Sequence, residues 1–71
     1  MNVWNNAKSG IGKGDVVVTH RSSRLMYVYD VIEQWGAPAY QCVWFEGGRL
    51  AESVFEAGAL RLARDVEILV A

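Results

Sequence analysis

The chain has 71 residues, of which 52% are hydrophobic and 21% charged, and seven Lys and Arg against eight Asp and Glu give a net charge of −1. This composition predicts one small globular domain, because it is too apolar for a disordered chain and contains no run of roughly 18 apolar residues that would span a membrane. The near-zero charge excludes a bulk positive field that would attract nucleic acid or anionic lipid.

The cysteine count and the first residues favour a cytoplasmic protein. Cys42 is the single cysteine and cannot form an internal disulfide. The opening residues, Met-Asn-Val-Trp-Asn-Asn-Ala-Lys, lack the charged start and the apolar stretch of a signal peptide. One His and one Cys are too few for a structural zinc site, so we expect no metal, and no residue pattern indicates a cofactor.

Residues 1–14 are rich in Asn and Gly and predict an N-terminal arm. Their Gly-rich stretch lacks the spacing of a phosphate-binding loop. Beyond them, β-branched and aromatic runs predict five strands, at residues 16–19, 25–32, 40–45, 50–55 and 61–64. A loop is expected at residues 34–38, a hairpin tip at Gly47-Gly48, and a single helical turn at residues 56–60. Residues 65–71 are expected to form a further strand or an extension.

This element order predicts an all-β fold, a small SH3-like antiparallel barrel of about five strands over residues 15–64, with one short helical turn before the last strand. The alternative is an OB-like barrel, which usually has a longer helix where this chain has the two-Gly hairpin. We expect the core to contain Val17, Met26, Val28 and Leu60, together with Val43 or Trp44 and Val54 or Phe55.

Four stretches resemble the small bacterial YodC-type family of unknown function. They are Gly-Asp-Val-Val at residues 14–17, the segment 22–28, Cys-Val-Trp-Phe-Glu-Gly-Gly-Arg-Leu at 42–50, and Phe55 with Ala-Leu-Arg-Leu at 59–62. The resemblance runs from Lys13 to Ala63, and its most specific part is the Cys-x-Trp-Phe-acid-Gly stretch. The N-terminal arm and the apolar C-terminal run are not part of the family pattern. The resemblance implies an SH3-like barrel without an assigned activity.

A weaker resemblance is to the plasmid-borne type B dihydrofolate reductases, which are small SH3-like barrels that work as tetramers around one active-site pore. Their catalytic strand reads Val-Gln-Ile-Tyr, and the matching residues 52–55 here read Glu-Ser-Val-Phe. Since the Gln amide and the Tyr hydroxyl that hold the ligand are missing, the resemblance does not imply this activity.

No catalytic constellation is readable in the sequence, and we expect a protein that is not an enzyme. His20 lies near Ser22 and Ser23, but no strained nucleophile turn or oxyanion loop accompanies them, so a solvent-facing His is expected. Cys42 lies in an apolar strand without a nearby cation, which predicts a buried, unreactive thiol.

The chain has eight aromatic residues, more than so small a core encloses. We therefore expect the surplus aromatic side chains to lie at an interface between copies. The sequence thus predicts a homo-oligomer that acts as a binding module. The alternative is that the surplus aromatics cover a second small core under the arm or the C-terminal run. The candidate interaction surface is Tyr27, Tyr29, Trp35, Ile68 and Val70.

Charge is uneven along the chain. Residues 1–24 carry a net charge of +3, with Lys8, Lys13, Arg21 and Arg24 as a candidate basic patch, and residues 25–56 carry −4. An ordinary solvated surface is one interpretation. A nucleic-acid-contacting accessory protein is the alternative function. A further alternative is a bacterial mobile-element or phage protein that blocks a host protein by docking on it.

Overall fold

The computed structural model describes residues 10–69, and its secondary structure is mostly β. A 3₁₀ turn, Ala57–Ala59, precedes the last strand, and a five-residue helix, α1, spans Asp65–Leu69. The strands are β1 Val16–Thr19, β2 Met26–Gln34, β3 Ala37–Glu46, β4 Arg49–Glu56 and β5 Leu60–Leu62. The prediction of an all-β chain with five strands and a helical turn before the last one is confirmed.

All strand pairs are antiparallel, and the strand order is β4-β3-β2-β1-β5. These pairings make one open sheet over the part of the chain that the structure describes. β1 pairs only with the first residues of β2, whereas β3 pairs along nearly all of β2. Within the β2–β3 pairing the register shifts between Val28 and Asp30, which leaves Tyr29 without a partner in β3. Such a bulge bends a strand and increases its twist.

Both long hairpins turn on two residues with positive φ angles. Gly47 and Gly48 join β3 to β4 at φ 60° and 80°, and Trp35 and Gly36 join β2 to β3 at φ 57° and 77°. Two consecutive positive φ angles are typical of the type I′ turn, whose twist matches that of the flanking strands. The predicted hairpin tip at Gly47-Gly48 is confirmed.

The loop predicted at residues 34–38 is wrong, because β2 continues to Gln34 and β3 begins at Ala37. Pro38 pairs with Glu33 inside the hairpin. It is tolerated there because it lies beyond the last β3–β4 pair, Ala39 with Glu56, so that no β4 residue needs its missing N–H.

Two predictions at the C-terminal end also need correction. The last strand spans Leu60–Leu62, not residues 61–64. The strand considered for residues 65–71 is wrong for its described part, because Asp65–Leu69 is helical. The Glu67 carboxylate accepts the Arg64 backbone N–H at 2.7 Å, which satisfies a donor at the start of the helix in the manner of a capping box.

Apart from Val18 and Ala39, which are also buried, the core forms one cluster of residues. Val17, Met26, Val28 and Leu60 are buried there as predicted, and Trp44 and Phe55 pack against them partly buried. Of the alternatives, Val43 is half-buried outside this cluster and Val54 is exposed. The remaining members of the buried cluster are Ile11, Tyr40 and Cys42.

The residues just before β1 belong to the folded sheet. Gly14 donates its N–H to the Val28 carbonyl at 2.8 Å, and Val28 donates to the Asp15 carbonyl at 2.9 Å. With Ile11 in the core, the last part of the predicted arm is therefore attached to β2. Residues 1–9 of the arm lie outside the described residues.

Candidate functional site

An apolar groove of about 400 Å³ is bordered by residues of all strands but β5, by Leu25 and by α1. Tyr27 is directly opposite Val16 on one side and Val43 on the other, and Phe45 is opposite Leu50. Directly opposed residues project from the same face of a sheet, so these side chains border the groove together, and Met26 and Trp44 border it while also packing in or against the core cluster. The residues that line the groove are Val16, Leu25, Met26, Tyr27, Val43, Trp44, Phe45, Leu50 and Ile68.

The groove is a surface that the described chain leaves open to solvent. Phe45 is 76% exposed and Leu50 is 65% exposed, and Tyr27 and Ile68 are exposed to a lesser degree. Among residues 10–69, none of the side chains that line the groove is charged. A contiguous exposed patch of large apolar side chains is typical of an interaction site rather than of a monomer's surface.

Trp44 and its two charged neighbours fix one margin of the groove. The Arg24 guanidinium lies over the Trp44 ring, 5.4 Å from its centroid, and lies 3.6 Å from the Glu46 carboxylate. Trp44 Nε1 donates to the same carboxylate at 3.0 Å. These three side chains therefore contact one another at this margin.

Helix α1 reaches the groove through Ile68, and an ion-pair network ties this helix to β5. Arg61 donates from both terminal nitrogens to the two Glu67 oxygens, each at 2.8 Å. The Arg64 side chain lies 3.5 Å from the same carboxylate. The Arg61 hydrogen bonds, followed by the Arg64 backbone N–H, lower the pKa of Glu67 to about 2.

The structure separates the predicted interaction residues into three places. Tyr27 and Ile68 meet in the groove. Tyr29 lies at the bulge and donates its hydroxyl to Glu52 at 2.7 Å, a hydrogen bond that raises the pKa of Tyr29. Trp35 lies at the β2–β3 hairpin tip. Val70 lies outside the described residues.

Sequence reasoning missed the groove contributions of Val43, Phe45 and Leu50. The signal was present, since Cys42 was expected inside, and strict alternation then puts Val43 and Phe45 on the opposite face. Leu50 follows once the Gly47-Gly48 hairpin pairs it with Phe45.

The residues of the candidate basic patch are divided between the two ends of β1. Lys13 lies in the turn that precedes β1, and Arg21 and Arg24 follow its other end, so a strand of about 13 Å separates them. Arg24 is engaged with Trp44 and Glu46. Arg21 lines a separate cavity with His20 and Phe55. Lys8 lies outside the described residues.

The titratable candidates are held in structural roles. Burial raises the pKa of the Cys42 thiol to about 11, and its Sγ donates a weak hydrogen bond to the Tyr40 carbonyl. The Asp15 side chain accepts the Gly12 N–H at 2.8 Å within the Gly-rich turn. Over residues 10–69, no group of three His, Cys, Asp or Glu side chains is placed to hold a metal ion. No helix in the same range is long and apolar enough to cross a membrane.

Comparison with known proteins adds no relative: no protein-family model, curated protein or solved structure matches the chain. The resemblance to the YodC-type family therefore stays a prediction.

Proposed function

We propose that this chain is a non-catalytic interaction module that self-associates through the groove face of its sheet. One observation carries the proposal: the large side chains of Phe45, Leu50, Tyr27 and Ile68 are exposed around one apolar groove. Burying them against a second copy removes apolar surface from water, the dominant favourable term in most protein association.

The size of the chain supports the same proposal. A 71-residue domain without a disulfide has limited stability from its own core. Association of folded copies adds stability by mass action, since it stabilises only the native state. A symmetric dimer is the commonest solution for a soluble chain of this kind.

An SH3-like barrel is part of the proposal. The bulge at Tyr29 separates the part of β2 that pairs with β1 from the part that pairs only with β3. A bend at this point curls the β1–β5 end of the sheet relative to the β3–β4 end, and curling of this kind is what a small barrel requires. The 3₁₀ turn before β5 supports the same arrangement.

Two substitutions on α1 test the self-association. Ile68 lines the groove, whereas Val66 is 59% exposed on the same helix and does not line it. Ile68→Asp places a charge in the apolar contact and is expected to weaken dimerisation at least tenfold, because charge burial without a partner is costly. Val66→Asp is the matched control and is expected to dimerise like the unmodified chain.

Light scattering over a range of micromolar concentrations measures both variants. The proposal predicts a monomer mass of 7.9 kDa for Ile68→Asp where Val66→Asp still gives twice that mass. Equal dimerisation by the two variants would show that the groove face is not the contact.

A further inference from the structure

Trp35 occupies a backbone conformation that suits other residues better. Its φ of 57° lies in the left-handed region, which is unfavourable for an L-residue with a bulky side chain. The first position of a type I′ turn favours Asn, Asp or Gly. The equivalent turn between β3 and β4 uses Gly47 and Gly48 at nearly the same angles. The β2–β3 turn thus carries a tryptophan where the chain elsewhere uses glycine.

Nothing within the described residues compensates for this strain. The Trp35 side chain is 97% exposed and therefore gains almost no packing from its own chain. A bulky aromatic in strained backbone at a protruding tip is a feature expected of a binding anchor. Tryptophan is also among the residues most enriched at the energetic centres of protein interfaces.

The groove is a receptor of suitable size and chemistry for this side chain. It offers about 400 Å³ bordered by apolar and aromatic groups. A buried aromatic side chain removes about 150–250 Å² from water, and pairs of aromatic rings add further attraction. Tyr27 and Phe45 supply such rings in the groove.

Trp35 cannot reach the groove of its own chain. The tip and the groove lie near opposite ends of the same hairpin, and the residues between Tyr27 and Trp35 span about 25 Å along the strand. Docking must therefore occur between two copies.

The charges around the two surfaces are compatible. The half of the β2–β3–β4 sheet nearest the tip carries Asp30, Glu33 and Glu56 and has no Lys or Arg. Near the groove, Arg49 and Arg24 are accompanied by Glu46, which is opposite Arg49, and by Glu52, which is opposite Val43. The groove margin thus carries both signs, so its charges admit an acidic tip without selecting the orientation of the tip.

We propose that Trp35 of each copy inserts into the groove of a second copy, reciprocally across a two-fold axis. This inference rests on the proposed function and names the occupant of the groove. The two insertions are symmetry-related, so they close the assembly at a dimer and leave neither Trp35 nor the groove open.

A pair of complementary variants tests the proposal. Trp35→Asn removes the anchor and installs a residue favoured by the turn, and Leu50→Asp disrupts the groove at an exposed position, so both variants are expected to fold. Each variant alone lacks both reciprocal contacts and should sediment as a monomer of 7.9 kDa. An equimolar mixture restores one contact, between Trp35 of the Leu50→Asp chain and the groove of the Trp35→Asn chain. The mixture should therefore contain a 1:1 heterodimer, identified by native mass spectrometry.

The alternative outcomes separate the two proposals. Dimerisation of Trp35→Asn alone, with Leu50→Asp monomeric, would keep self-association through the groove face and overturn Trp35 as its occupant. A mixture that stays monomeric when both variants are monomeric would also overturn the reciprocal insertion. An unmodified chain that is itself monomeric would overturn both proposals. Circular dichroism of each variant verifies that the sheet is retained.

Discussion

Cys42 illustrates how burial alone decides the chemistry of a residue. Its side chain is completely buried between Tyr40 and the core valines, and burial raises the pKa of the thiol to about 11. The thiolate is the reactive form of cysteine, so the thiol at neutral pH is a packing group. The interpretation of Cys42 as a buried residue, made from its apolar strand, is confirmed.

We expect Cys42→Ser to leave dimerisation unchanged and to lower the free energy of unfolding by about 1–3 kcal/mol, the usual cost of burying a hydroxyl in place of an apolar group. The pKa of Cys42 adds a pH dependence. Because the unfolded thiol ionises from about 9 and the folded thiol only from about 11, the free energy of unfolding falls as the pH rises through this window.

Urea unfolding at pH 8 and pH 10.5 measures this dependence. The unmodified chain should lose more stability over the interval than Cys42→Ser, which has no thiol to ionise. An equal loss in the two proteins would contradict the assignment.

The C-terminal helix shows how a very short element is held in place. Five residues are too few for a helix to be stable on its own. The Glu67 carboxylate binds both Arg61 of β5 and the Arg64 backbone N–H, and so attaches the helix to the sheet. This attachment places Ile68 at the groove.

Glu67→Gln is expected to lower the stability of the chain at pH 7, since the ion pair with Arg61 is lost. The folded-state pKa of Glu67 is depressed, so its contribution is complete above the ordinary value of 4.5 and is lost as the pH falls toward about 2. The difference in unfolding midpoint between Glu67→Gln and the unmodified chain should therefore shrink between pH 5 and pH 2.5. Glu33→Gln, at the exposed far end of β2, is the matched control. A difference in unfolding midpoint between Glu67→Gln and the unmodified chain that does not change with pH would contradict this prediction.

Two elements could be predicted from short stretches of sequence alone. The β-branched run of β1 and the Gly47-Gly48 turn need no distant partner to be recognised. The β2–β3 turn was missed because Trp-Gly is not a usual type I′ pair and Pro38 normally ends a strand. Helix α1 was missed because Arg61, which lies on another element, stabilises it.

At the scale of the whole molecule, the groove combines side chains from several separate elements. Alternation within β2 predicted an outward Tyr27, and the surplus of aromatics predicted an interaction surface. The cross-strand register that places Val43 and Leu50 beside it depends on two hairpins and a bulge. Trp35 was predicted to share one interaction surface with Tyr27, yet the two residues lie near opposite ends of the β2–β3 hairpin.

We propose that the groove face is buried against a second copy of the chain, and association of this kind depends on protein concentration. Sedimentation equilibrium of the unmodified chain from 1 to 100 µM, in 0.05 M and in 1 M NaCl, measures this dependence. We expect an average mass approaching twice 7.9 kDa as concentration rises, and no weakening at high salt, because the contact is apolar and charge screening leaves such contacts intact. A mass of 7.9 kDa throughout would exclude a contact between copies at the groove.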